Sequence, residues 1–298
     1  MEKKATIYIV ESLYNNYRID LFLSLIMNIS RAESLFLLQK NLVLINKQSQ
    51  IKKSKKVLCN DVVEVLEQEN IIIKKEVELI SISILFINED FLIISKPPFV
   101  SCHKANIKDS SYTIADFARL YWKDSIDNQD GRYGIVHRLD KETSGILIIA
   151  RTIEIKNIFI DLFKKRKIEK KYIAFIQKGL LKKSGKIEYA IMRDPLCPVK
   201  MTYSYGQGKE AETNYVIIEE KKIFDIVECF PKTGRTHQIR VHFQALGVPL
   251  LGDKIYGKES ELINRHALHA SQISFVLKEI KYFFIASLLP DMEELKNS

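Results

Sequence analysis

The sequence predicts an α+β protein in two parts, a small α/β unit at residues 1–66 and a larger mixed domain at residues 81–298, joined by a linker at 67–80. Three observations lead there. A chain of 298 residues with 46% hydrophobic content can bury one large core, or one medium and one small. Apolar residues recur at helical and at strand-like periods on both sides of the proposed linker. The stretch from Glu67 to Ile80 between them is charged and shows no clear period.

The elements follow in chain order. Arg18 to Met27 carries Ile19, Phe22, Leu23 and Ile26 at helical spacing, and Ser30-Arg31-Ala32-Glu33 reads as a capping box that opens a second helix. A short apolar run at Asn41 to Asn46, the basic cluster Lys52, Lys53, Lys55 and Lys56, and a strand at Val62 to Val65 complete the first unit. In the second, strand-like runs lie at Ile82 to Ile87, Phe91 to Ser95, Gly145 to Ala150, Lys171 to Ile176, Thr213 to Ile218 and Phe224 to Phe230. The clearest helix is Ile153 to Lys167. Its residues Ile155, Ile158, Phe159, Leu162 and Phe163 form one apolar face, and its lysines gather at the C-terminal end, where the helix dipole favours cations.

Composition narrows the function. Forty-six Lys plus Arg against 37 Asp plus Glu give a net charge of +9, which favours a polyanionic partner or a merely solubilising surface. Cys59, Cys102, Cys197 and Cys229 are far apart and show neither disulfide nor zinc spacing, which fits a reducing cytoplasm. The apolar runs, such as Leu21 to Met27, are too short to span a bilayer, which needs roughly 20 residues. A cytoplasmic monomer that uses no metal or organic cofactor is expected.

Three polar clusters could carry chemistry. Gly134 to Gly145 is a polar loop that feeds the apolar strand Ile146 to Ala150, and within it Asp140 is flanked by Arg138 and Lys141. Opposite charge would keep that carboxylate ionised, as a nucleophile or base requires, although an Asp in a basic loop ordinarily caps a turn. Thr233 to Phe243 follows an alternating strand and enters a short helix. Its Arg235 and Arg240 can fork onto phosphates or pair with a carboxylate, and His237 and His242 lack metal spacing. Lys170-Lys171-Tyr172 opens a strand, where an aromatic is usually core but beside a nucleic-acid groove can stack on a base.

Together these residues resemble the RluA-type family of pseudouridine synthases over most of the chain. His137-Arg138-Leu139-Asp140, continuing through Gly145, is similar to the family's signature loop, whose Asp is catalytic. Lys171-Tyr172-Ile173-Ala174 resembles the segment that supplies the active-site Tyr, and Gly234 to His242 resembles the third motif. Phe91 to Pro97 is similar to the strand ending in Lys-Pro that opens the catalytic domain, while Leu250 to Gly257 and Ala267 to Ala270 resemble its closing segments. Tyr17 to Val65 resembles the S4 RNA-binding domain. One departure stands out: Pro98-Phe99 replaces a small, glycine-containing turn after Lys96-Pro97.

The resemblance implies a mainly antiparallel-sheet catalytic domain with Asp140, Tyr172 and Arg235 as its catalytic set, Arg235 being the salt-bridge partner of Asp140. The RNA contacts expected with it are Arg138, Lys141, His237 and Arg240, with Arg31, Lys52, Lys53, Lys55 and Lys56 on the S4-like unit. The lysines from Lys164 to Lys171 and Lys178, Lys182, Lys183 and Lys186 are further candidates for phosphate. The implied partner is RNA, with large-subunit ribosomal RNA favoured over transfer RNA. The implied reaction breaks the bond from ribose C1′ to N1, rotates the uracil and rejoins it through C5, on a base taken out of the stack. Two rivals remain open: a non-catalytic RNA-binding protein, and an N-glycosidase that would leave abasic RNA.

Overall fold

The computed structural model describes residues 5–27, 34–35, 37–38, 41–49, 51–52, 54–66, 82–104, 109, 111–122 and 132–298. Two compact units divide the chain: Met1–Ser81 with Lys104–Tyr112 and Asn128–Gly131, and Ile82–His103 with Thr113–Asp127 and Arg132–Ser298.

The first unit contains β1 (Ala5–Ile9), α1 (Ile19–Ile26), β2 (Val43–Ile45) and β3 (Val62–Leu66). Its strands pair antiparallel in the order β1-β3-β2. Helix α1 turns Ile19, Phe22 and Leu23 into a core with Val43, Ile45, Val57, Val63 and Val65, as the helical spacing requires. Strand β1, absent from the sequence reading, packs on this core through Tyr8 and leaves Ile7 and Ile9 exposed. The side chains of Lys52, Lys55 and Lys56 are exposed, while the Lys55 carbonyl accepts the Ile19 amide at 2.8 Å. The capping box at Ser30–Glu33, with Arg31, and also Lys53 and the linker at 67–80, lie outside the described residues.

The second unit contains β4 (Ser83–Ile87), β5 (Phe91–Lys96), α2 (Ile114–Tyr121), β6 (Ser144–Ala150), α3 (Ile153–Lys164), β7 (Glu169–Gln177) and β8 (Ser184–Ile187). There follow β9 (Ala190–Arg193), β10 (Met201–Ser204), β11 (Thr213–Glu220), β12 (Phe224–Pro231), α4 (Gln238–Ala245), β13 (Leu268–Leu277), β14 (Ile280–Ile285) and α5 (Pro290–Asn297). A nine-stranded sheet runs β4-β5-β6-β13-β7-β12-β11-β8, with β14 also on β13, and β9 and β10 pair apart from it. Every pairing in that sheet is antiparallel except β6 with β13. The architecture is therefore mixed α+β with a mainly antiparallel sheet.

Helix α3 buries Ile155 and Phe159 against Phe91, Ile93, Ile146, Ile148 and Phe275. It stops at Lys164, short of the expected Lys167. Arg166 is left-handed at φ 57°, the Arg166 amide bonds Phe163 O and the Lys167 amide bonds Leu162 O, which is the Schellman ending. A glycine normally signals that stop; here arginine stands in its place. Strand β7 alternates: Ala174 and Ile176 pack with Ile239 and Phe243 of α4, while Ile173 and Phe175 pack with Met292 and Leu295 of α5. Where β6 meets β13, Gly145 has φ +109°, and a Cβ there would lie 2.2 Å from Ala270 O. Only glycine lets the strand that follows the polar loop come this close.

Candidate active site

The loop before β6 runs back along the edge of that strand. Gly134 O accepts the Ala150 amide at 2.8 Å, Ile135 bridges Ile149, and His137 Nε2 accepts the Ile148 amide at 3.0 Å. His137 thus substitutes a ring nitrogen for a backbone carbonyl, with its ring centroid 5.0 Å from that of Phe163. Burial, helped by the Lys170 charge, lowers its pKa to about 3, so this nitrogen stays free to accept.

Beyond His137 the loop is held from several sides. Cys102 Sγ contacts both the amide and the carbonyl of Leu139 at 3.4 Å. The fully buried Lys96 donates to Pro97 O, Val100 O and Lys141 O at 2.8, 2.9 and 3.1 Å. Burial lowers the Lys96 pKa to about 8, against the upward pull of Cys102 and Asp140. Arg265 donates to Glu142 O at 3.1 Å, and His266 Nε2 lies 2.8 Å from Thr143 Oγ1. Asp140 therefore projects from a backbone whose neighbouring carbonyls are fixed by cations, as a preorganised site needs. The turn after Lys96-Pro97 keeps a left-handed residue, Phe99 at φ 66°, where the resemblance leads one to expect glycine.

The Asp140 side chain is 16% exposed, and its Oδ2 accepts from Arg240 Nη1 at 3.0 Å. Arg240 Nε and Nη2 fork onto Asp253 at 2.7 and 2.9 Å, and its guanidinium lies 4.9 Å from the Tyr256 ring centroid. Burial opposes that charge, but the hydrogen bonds and charge of Asp253, then those of Asp140, outweigh it and raise the Arg240 pKa. Tyr256 Oη accepts the Met201 amide at 2.8 Å and lies 2.8 Å from His237 Nδ1. His237 Nε2 stands 3.8 Å from Asp140 Oδ1, and its pKa is lowered, by burial first. Tyr172 sits on the α4 side of β7; burial first, then Asp140 and Cys102, raise its pKa, so it is a neutral phenol. A cleft of about 110 Å³ is lined by Asp140, Tyr172, Arg138, Lys170, Arg235 and Arg240, among others.

Asp140, Tyr172 and Arg235 thus share one cleft, but the pairing differs from expectation. Arg235 Nε donates to Glu210 O at 2.9 Å; the guanidinium on Asp140 belongs to Arg240. Arg235 precedes α4 in a turn whose amide is capped by Gln238 Oε1 at 2.9 Å, whereas Arg240 lies inside the helix with a 4% exposed side chain. Arg240, expected as an RNA contact, is an internal ion-pair residue that also lines the cleft. Arg138 and Lys141 expose their side chains, and His237 is half-buried beside Tyr256. Several lysines of the stretch are ion-paired. Lys165 pairs with Asp161, Lys171 with Glu228, Lys178 with Asp225, Lys183 with Glu220 and Lys186 with Glu188. Asp253, Tyr256, Arg265 and His266 were missed as site residues, although the first two fall in the Leu250 to Gly257 segment that the resemblance marks.

A mixed sheet that carries a loop-borne carboxylate, clamped by an internal arginine in a cleft also lined by a tyrosine, is an arrangement suited to an enzyme built around one acid. The family model described as "RNA pseudouridylate synthase" matches residues 90–245, and the chain belongs to that family, whose members isomerise uridine to pseudouridine. It is 35% identical to the ribosomal large subunit pseudouridine synthase D of Buchnera aphidicola subsp. Schizaphis graminum, across 99% of this chain and 98% of that protein. An uncharacterised RNA pseudouridine synthase of Aquifex aeolicus is 35% identical across 84% of this chain and 80% of its own length. Among solved structures, human RNA pseudouridylate synthase domain containing 1 superposes with a TM-score of 0.59 at 26% identity, covering 71% of this chain and 86% of that one.

Proposed function

We propose that this enzyme isomerises uridines of large-subunit ribosomal RNA, with Asp140 acting at the ribose, as nucleophile at C1′ or base at C2′. The observation that carries the reading is the 3.0 Å ion pair from Arg240 to Asp140 inside the cleft that also presents Tyr172. Arg240 holds the carboxylate aimed, since its other nitrogens are anchored on buried Asp253. Tyr172 packs on the flipped uracil or relays the proton leaving C5, and its neutral hydroxyl suits either task. Arg138, Lys141 and Arg235, at or beside the cleft, meet the RNA backbone together with exposed Lys52, Lys55 and Lys56 of the N-terminal unit. That unit acts as an S4-like RNA-binding domain, with the catalytic domain beginning near residue 81. The ribosomal substrate is favoured by the name of the Buchnera relative and by that near full-length match. Among the described residues no helix is long and apolar enough to cross a membrane, and we place the enzyme in the cytoplasm with the RNA it modifies, as a monomer.

The test is tritium release from a large-subunit rRNA transcript labelled with 5-tritiated uridine. Wild type releases tritium and leaves RNA mass unchanged; Asp140→Asn binds the transcript but releases none. Undiminished release by the variant would remove Asp140 from the mechanism, and abasic RNA would identify an N-glycosidase. Pseudouridine mapping in cells with and without the gene assigns the sites, and loss confined to transfer RNA would overturn the ribosomal substrate.

A further inference from the structure

Within a stretch where several lysines are matched by carboxylates, Lys170 has no acidic partner among the described residues. Its ammonium donates to Thr233 O at 3.1 Å and lies 6.0 Å from the Phe163 ring centroid, and no other hydrogen bond from it is formed among the described residues. An ammonium has three donors, so two are unspent. They are available to a bound ligand, because Lys170 lines the cleft with Asp140, Tyr172 and Arg235. A Cβ on Gly234 would stand 4.0 Å from the Lys170 nitrogen, and its absence leaves the ammonium open on that side.

The charge acting on Lys170 is that of Lys232, a cation. Arg138 and Arg235, also on the cleft, form no ion pair among the described residues, while Asp140 shares Arg240 with Asp253. Burial first, then repulsion from Lys232, lowers the Lys170 pKa to about 8. A desolvated cation with spare donors is matched by an anionic oxygen, which restores the lost solvation and neutralises the excess charge. A uracil carbonyl is neutral and restores less. The anion that accompanies a flipped nucleotide into the cleft is its own phosphate.

We propose that Lys170 is a phosphate-binding residue of the active site, taking a backbone phosphate of the nucleotide being isomerised and thereby setting the ribose over Asp140. This rests on the reading that an RNA uridine enters the cleft. The experiment compares wild type, Lys170→Gln and Lys170→Arg in binding a large-subunit rRNA transcript across a range of salt concentrations. One lost phosphate contact lowers the slope of log affinity against log salt by about 0.7–0.9. Lys170→Gln should show that change and bind about tenfold more weakly at low salt, while Lys170→Arg keeps the wild-type slope.

An unchanged slope in folded Lys170→Gln would overturn the proposal and leave Lys170 as a strut for Thr233. Amine acetylation of the wild-type protein needs no variant. RNA should protect Lys170, and equal labelling with and without RNA overturns the proposal as well. Tritium release by wild type from the same transcript reports separately whether this RNA is a substrate.

Discussion

Arg235 and Arg240 stand five positions apart in one motif, and only Arg240 reaches Asp140. Both arginines were visible in the sequence, but which of them reaches Asp140 depends on where the helix starts, and α4 opens at Gln238 after a left-handed His237. That positive φ on a histidine carries no sequence signal. Asp140 and Tyr172 were legible because each sits in a string that fixes both residue type and order. Asp253 was not, because its value lies in a partner a helix away. Arg240→Met strands fully buried Asp253 without its cation, which should cost about 3–5 kcal/mol and abolish tritium release. Adding Asp253→Asn should restore much of the melting temperature and none of the activity, whereas Arg235→Ala should leave the melting temperature close to wild type. Thermal denaturation of the three proteins beside the release assay decides it; an Arg240→Met protein as stable as wild type would contradict the buried clamp.

Among the elements, β5, β6, β7, β11 and β12 were legible from their apolar runs, and α3 from its period. The β13–β14 hairpin was not. Its register pairs Leu277 with Ile280, leaving Lys278 and Glu279 as a two-residue turn with φ 49° and 65°. Two positive φ values mark a type I′ turn, which favours Asn-Gly, so a Lys-Glu turn hides the hairpin from any reading of turn residues. Replacing Lys278→Asn and Glu279→Gly together should stabilise the protein by about 1 kcal/mol. A urea titration checks this, and a midpoint shifted downward would show that Lys278, which bonds Asp90 at 2.7 Å, matters more than the backbone.

For the molecule as a whole, net charge proved a coarse guide. The excess of +9 favoured a polyanion, yet much of the lysine-rich stretch is neutralised pairwise, and unmatched cations remain around the cleft. Acid should weaken the fold. Burial lowers the pKa of His137 to about 3 and that of His269 to about 4, from an ordinary 6.5. The unfolded chain therefore binds more protons below pH 6.5. The contribution of these groups is complete above that pH and declines as pH falls toward 4, by up to about 1.4 kcal/mol per pH unit for each histidine. Urea midpoints at pH 7.5 and pH 5 should differ accordingly, and His269→Gln should flatten the dependence; equal midpoints for wild type would contradict it.

Fully buried Arg265 ties α5 to the catalytic loop: its Nε meets Asp291 of α5 at 2.7 Å while its Nη1 holds Glu142 O, two residues from Asp140. That tie cannot form in a nascent polypeptide until α5 has emerged from the ribosome, so the enzyme should be silent before then. Asp291→Asn, which keeps α5 and its core contacts, should lower tritium release in a folded protein, and full release would disprove the dependence.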